Sequence, residues 1–157
     1  MLSQRHGAGA YKQTNYLTAD PVKLVIMCYE KTIDSLKTAK GYYQTGQYEA
    51  KAKSVQKAQD IISELNMALN FKSGGEVAKN LDILYKYMLR RILEADINRN
   101  LNILDEVIWM LEELNSAWKQ IFNIGQNHKQ PTASIHNSFL NKASLQHNSS
   151  SLHAWSV

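Results

Sequence analysis

Histidine is missing from the middle of this sequence. His6, His128, His136, His147 and His153 all lie near the two ends. A helical bundle that holds two metals needs Glu-x-x-His pairs on inward faces, and the central stretch has none to offer. The spacing of the later histidines matches no common ligand pattern either, so no metal or other cofactor is expected. Proline is almost as scarce. Pro21 and Pro131 are the only two, and the long run between them is open to uninterrupted helices. The single cysteine, Cys28, excludes an intramolecular disulfide and suits a reducing compartment. With no histidine near it in the chain, Cys28 reads as a small buried apolar residue and not as a nucleophile. No stretch is long and apolar enough for a membrane span, and MLSQRHGAGAYKQ lacks a signal-peptide core. The expected location is the cytoplasm, without membrane insertion. Gly74 and Gly75 are followed by Glu76, not by the Lys-Ser/Thr of a phosphate loop, and no strand precedes them. No acid and base pair stands out. These absences argue against an enzyme.

What is present suits one folded domain. The chain has 157 residues, 44% of them hydrophobic and 20% charged. Its net charge of +4 is compatible with an acidic partner or nucleic acid. The charge is patchy, however. Lys51, Lys53 and Lys57 sit among glutamines and alanines like a solvated helix face, while Asp105, Glu106, Glu112 and Glu113 cluster further on. Arg90 and Arg91 are adjacent and so point about 100° apart on a helix. No nucleic-acid motif accompanies them, and no nucleic-acid partner is expected.

Helical periodicity organises the centre. Residues 1–19 read as a flexible N-terminal arm, 20–125 as a helical bundle and 126–157 as a polar, largely disordered tail. Asp20 is a natural N-cap and Pro21 a natural first helical residue. The first helix is expected over about 21–45, carrying Val22, Ile26, Tyr29, Ile33, Leu36 and Tyr43 inward, with Gly46 ending it. The second spans about 47–70, where Val55, Ala58, Ile62, Leu65 and Leu69 recur at three and four residues. FKSGG breaks it. The third runs over about 76–98, with Leu81, Leu84, Tyr85, Met88, Ile92 and Ala95 on one stripe. Asn100 or Asn102 can cap the fourth, over about 101–124, which Gly125 ends. In the tail, Ile135, Phe139, Leu140 and Leu145 are the apolar residues available for a short docking helix. Four similar helices with short links make an all-α, elongated antiparallel four-helix bundle.

The helices carry more apolar residues than one stripe each can hold. Ile83, Tyr87, Leu89, Leu93 and Ile97 lie off the main stripe of the third helix. Ile103, Met110, Leu114, Ala117 and Ile121 lie off that of the fourth, and Ile61 and Ala68 off that of the second. Two readings fit. A helix inside a bundle touches two neighbours and needs a wide stripe. Alternatively, the surplus lines a groove for an amphipathic or extended segment of a partner.

Four segments in order then resemble one family. They are AYKQTNYLTADPVKLVIMCYE at 10–30, KAQDIISELNMALN at 57–70, GGEVAKNLDILYKYMLRRILEA at 74–95 and EVIWMLEELNSAWKQI at 106–121. Together they resemble FliS, the family of flagellar export chaperones that hold flagellin before secretion, with Trp118 at the position expected of it. Cys28 stands where the family more often has leucine, and Asp20 where serine is common. GAGA before Tyr11 is smaller than the bulky residue that some members carry.

The resemblance implies a non-catalytic bundle that binds the disordered C-terminal segment of flagellin, usually one flagellin per chaperone. Such binding blocks premature filament assembly in the cytoplasm and keeps the subunit ready for the type III export apparatus. It also implies an N-terminal arm lying over part of the client site, with Tyr11 matching the arm tyrosine. The expected client-binding residues are Tyr11, Ile61, Leu65, Ala68, Ile83, Tyr87, Leu89, Leu93, Met110, Leu114 and Ile121. Another export substrate or a regulatory flagellar protein is the alternative partner. The long tail matches nothing in the family.

Overall fold

The structure, a computed structural model, describes residues 20–128. Those residues form four helices: α1 Pro21–Gln44, α2 Tyr48–Met67, α3 Phe71–Asn98 and α4 Leu101–Asn127. Among the described residues there is no strand. Links of two or three residues force each helix to run back along its predecessor. α1 packs on α2 and α4, and α3 packs on the same two from the other side, so the four close in a ring with α1 and α3 on its diagonal.

Local chemistry sets the ends. Asp20 accepts from the Val22 amide at 2.9 Å, and Pro21 occupies the first helical position. Gly46, at φ 73°, turns the chain between α1 and α2. Asn70 accepts from the amides of Lys72 and Ser73, and Asn100 from that of Asn102. Arg99 closes α3 in the left-handed conformation at φ 51°. That geometry costs a side-chain-bearing residue roughly 1–2 kcal/mol. The Arg99 amide recovers part of this by donating to the Ala95 and Asp96 carbonyls.

Two glycines behave differently from expectation. FKSG is a helical turn at the head of α3, and the break falls on Gly75 alone, at φ 50° and ψ −133°. Gly125 does not end α4, which continues to Asn127. A helix interior tolerates glycine at a cost of about 1 kcal/mol relative to alanine, and no proline follows closely enough to stop the chain.

The core runs the length of the ring. Tyr29, Leu36, Ile62, Tyr85, Met88, Ile92, Val107 and Leu111 are fully buried. Across the diagonal, the hydroxyls of Tyr29 and Tyr85 share a hydrogen bond of 2.5 Å, and the Trp118 indole N–H donates to the Tyr29 oxygen at 3.2 Å. One polar cluster thus ties α1, α3 and α4 together. Burial, opposed by its two hydrogen bonds, pushes the Tyr29 hydroxyl up to about 12, and burial next to Tyr29 pushes Tyr85 higher still. Both stay neutral and hydrogen-bonded.

Candidate functional site

The surface residues of this bundle divide by seam, and cross-helix bonds show which side of each helix meets which neighbour. On α4, the Glu106 carboxylate accepts from the Tyr87 hydroxyl at 2.5 Å and from Arg91 at 2.5 and 3.0 Å. Arg91 also bonds Glu94 at 2.7 Å. The Glu106 side of α4 therefore faces α3. From Glu106 the same strip continues through Met110, Leu114, Ala117, Ile121 and Ile124, in steps of four, four, three, four and three. Met110, Leu114 and Ile121 pack half-buried against the core, Ala117 is exposed and Ile124 is 39% exposed. Opposite them on α3, Val77 and Leu84 stand two heptads and one heptad before Arg91, and Tyr87 four residues before it. All three are half-buried. The α3–α4 seam is thus a furrow, polar at the Glu106 end and apolar from there to the end of α4.

The bonds at its polar end act on each other's protons. The Tyr87 hydroxyl and the Arg91 guanidinium hold the Glu106 carboxyl below the usual carboxylate range, and Glu106 in turn raises Tyr87. Arg90 stacks over the Tyr87 ring at 5.3 Å from its centroid.

The sequence-derived candidates separate by place. Tyr87, Met110, Leu114 and Ile121 come together along the α3–α4 furrow. Leu89 and Leu93 lie on the side of α3 that carries Asp82, whose carboxylate accepts from Asn66 of α2 at 2.8 Å. Leu93 is 54% and Ile83 64% exposed, with Ile83 on the outward face of α3. Ile61 and Ala68 lie off the inward stripe of α2, Ile61 half-buried against the core and Ala68 exposed. Leu65 is 4% exposed and belongs to the core, because it lies within one helical turn of Ile62 and Leu69 on the inward stripe. Ile103 is likewise core, at 7% exposure. Tyr11 and the tail residues Ile135, Phe139, Leu140 and Leu145 lie outside the described residues.

Sequence reasoning misses two furrow residues and one on the outer face of α4. Leu84 sits at the edge of the α3 stripe, where the spacing points it inward, yet it is half-buried. Ile124 continues the three-and-four spacing of Met110 to Ile121, but Gly125 beside it reads as a helix end. Trp109, 61% exposed, falls on the outer face of α4 among Asp105, Glu112 and Glu113, outside any apolar repeat.

A family described as flagellar protein FliS matches residues 4–125. The chain belongs to the FliS family. It is 39% identical over 103 residues to the flagellar secretion chaperone FliS of Vibrio cholerae, covering 66% of this chain and 76% of that one. The Salmonella typhimurium chaperone is 34% identical over 120 residues, 73% of this chain and 89% of its own length. That of Bacillus subtilis is 33% identical over 111 residues, 71% and 82% respectively. The FliS match takes in the whole α3–α4 furrow and stops short of the last residues of α4. Among the described residues, no helix of this FliS-family chain is long and apolar enough to cross a membrane.

Proposed function

We propose that this chain is an export chaperone for flagellin: a non-catalytic bundle that binds the flagellin C-terminal segment one to one in the cytoplasm. It would thereby block premature polymerisation and hold the subunit for the flagellar export apparatus. The apolar strip from Met110 to Ile124, faced by Val77, Leu84 and Tyr87, carries this reading. Burying a large apolar side chain contributes roughly 1.5–3 kcal/mol, so several such positions in a row offset the ordering cost of a disordered client. A rigid ring of helices offers that surface without rearranging. The exposed Ile83, Leu93 and Ile97 add apolar area on α3, and Ile61 and Ala68 add a separate apolar stretch on α2, as a client that wraps the bundle would require. Tyr11 belongs to the same proposal as an arm residue that client displaces.

Titration calorimetry against the C-terminal segment of the host flagellin tests it, with an N-terminal flagellin segment as control. Saturable one-to-one binding of the C-terminal segment alone is expected, with a large negative heat-capacity change and little salt dependence. Binding that collapses with salt would point to charge as the driving force and defeat the furrow reading. Silence toward both segments would turn the search to another export substrate.

A further inference from the structure

The apolar furrow runs out at the point where the rest of the chain begins. Ile124 is the last residue of the strip, one helical turn before His128. Beyond the described residues lie 129–157, a segment with Lys129 and Lys142 and no acidic residue. Beyond Pro131, Ile135, Phe139 and Ala143 recur every four residues. The lengths agree. A helix over 135–145 would span about 16 Å, and the α4 strip from Ile124 back to Leu114 covers about 15 Å. Residues 129–134 reach up to about 20 Å when extended, enough to reverse direction at the end of α4. The charges agree too, since Glu113, exposed on the α4 edge at the far end of that stretch, is opposite in sign to Lys142.

We propose that residues 135–145 fold back antiparallel to α4 and lie in the α3–α4 furrow of the same molecule, where client must displace them. Tethering makes a weak helix sufficient. A short linker presents the segment at an effective concentration on the order of mM, so an intrinsic dissociation constant of similar size already half-fills the furrow. The docking stands on this chain's own residues. Its consequence for client rests on the chaperone reading above.

Methyl NMR on the full chain, comparing wild type with Phe139→Asp, decides the docking without any client. The Leu114, Ile121 and Ile124 methyls are expected to shift, while those of Ile83 and Ile97 stay in place. Ile135→Asp should repeat the pattern, and in both variants helical content by circular dichroism should fall by no more than residues 135–145 can supply, so that the bundle itself stays folded. Absence of furrow shifts in both variants overturns the proposal. So do shifts that fade on dilution, which would mean a second copy supplies the segment. Furrow shifts in Tyr11→Asp but in neither tail variant would make the N-terminal arm the occupant and overturn it as well. Calorimetry with the flagellin C-terminal segment then reads the competition. If the tail fills the furrow in nine molecules of ten, Phe139→Asp should bind about tenfold tighter. Equal affinity in both forms would overturn the competition while leaving the docking intact. Binding by neither form would sink the chaperone reading and leave the methyl result standing.

Discussion

α4 has two sides built on the same spacing and put to opposite use. Toward α1 it presents Asp105, Glu112 and Lys119, one heptad apart, which pair with Lys40, Lys37 and Glu30. Toward α3 it presents Glu106, with Glu113 one heptad on at the outer edge, and the half-buried Met110, Leu114 and Ile121 between the helices. Exposed ion pairs of the first kind contribute about 0–1 kcal/mol each, so the difference between the sides is not chiefly one of stability. The difference is one of access. Lys37 and Lys40 reach across the α1–α4 seam with their ammonium groups on carboxylates of α4. On the α3 side only the Tyr87–Arg91–Glu106 cluster bridges the helices, and it sits at one end. Ion pairs line the one seam along its length, and half-buried apolar side chains line most of the other.

The contrast can be broken at three depths. Deepest is Leu111, fully buried between the two sides. Leu111→Ala should cost about 2–5 kcal/mol in a denaturant titration and weaken both seams together. Next is Ala117, exposed in the middle of the furrow. Ala117→Asp should lower affinity for the flagellin C-terminal segment by more than about tenfold, through a charge left uncompensated in an apolar contact. Its unfolding free energy should stay within the range of ordinary surface substitutions, about 0.5 kcal/mol. A large loss of stability there would mean that α3 packs over Ala117 and the furrow is closed. The smallest effect belongs to Glu106, whose carboxyl is held below its ordinary value of about 4.3. A depressed acid contributes stability above its unfolded pKa and loses it as pH falls through the folded one. Glu106→Gln should therefore be less stable than wild type at neutral pH, and the two should converge as pH falls below the ordinary carboxylate range, through the folded pKa of Glu106. Denaturant midpoints across that range would show it.

The bundle is legible in the sequence because its signals are local and redundant. Asp20-Pro21 opens α1 as its capping chemistry predicts, Asn100 caps α4, and the inward residues of α1 recur at helical spacing. The surface is harder for a geometric reason. Residues 100° apart on a wheel differ by one seam, and only a cross-helix bond fixes which. Without Glu106 on Tyr87 and Arg91, nothing tells that Met110 faces α3. Without Asp82 on Asn66, nothing separates Leu93 from Tyr87. Leu65 falls inward because its neighbours Ile62 and Leu69 set the phase of α2. Gly125 misleads because glycine weakens a helix without ending it when no cap follows.

The tyrosine–tyrosine–tryptophan cluster at the centre has a consequence for how the protein is made. Its two hydrogen bonds join residues 56 and 89 positions apart. Neither is available to any helix hairpin of the chain, which closes only neighbouring helices at low loop entropy. During synthesis the Tyr29 hydroxyl therefore waits for α3 and then for α4 before both its partners are present. A nascent chain that lacks α4 has an unfinished core and one wall of the furrow missing. Completion of the core and completion of the α3–α4 furrow are thus one late event, the arrival of the last helix.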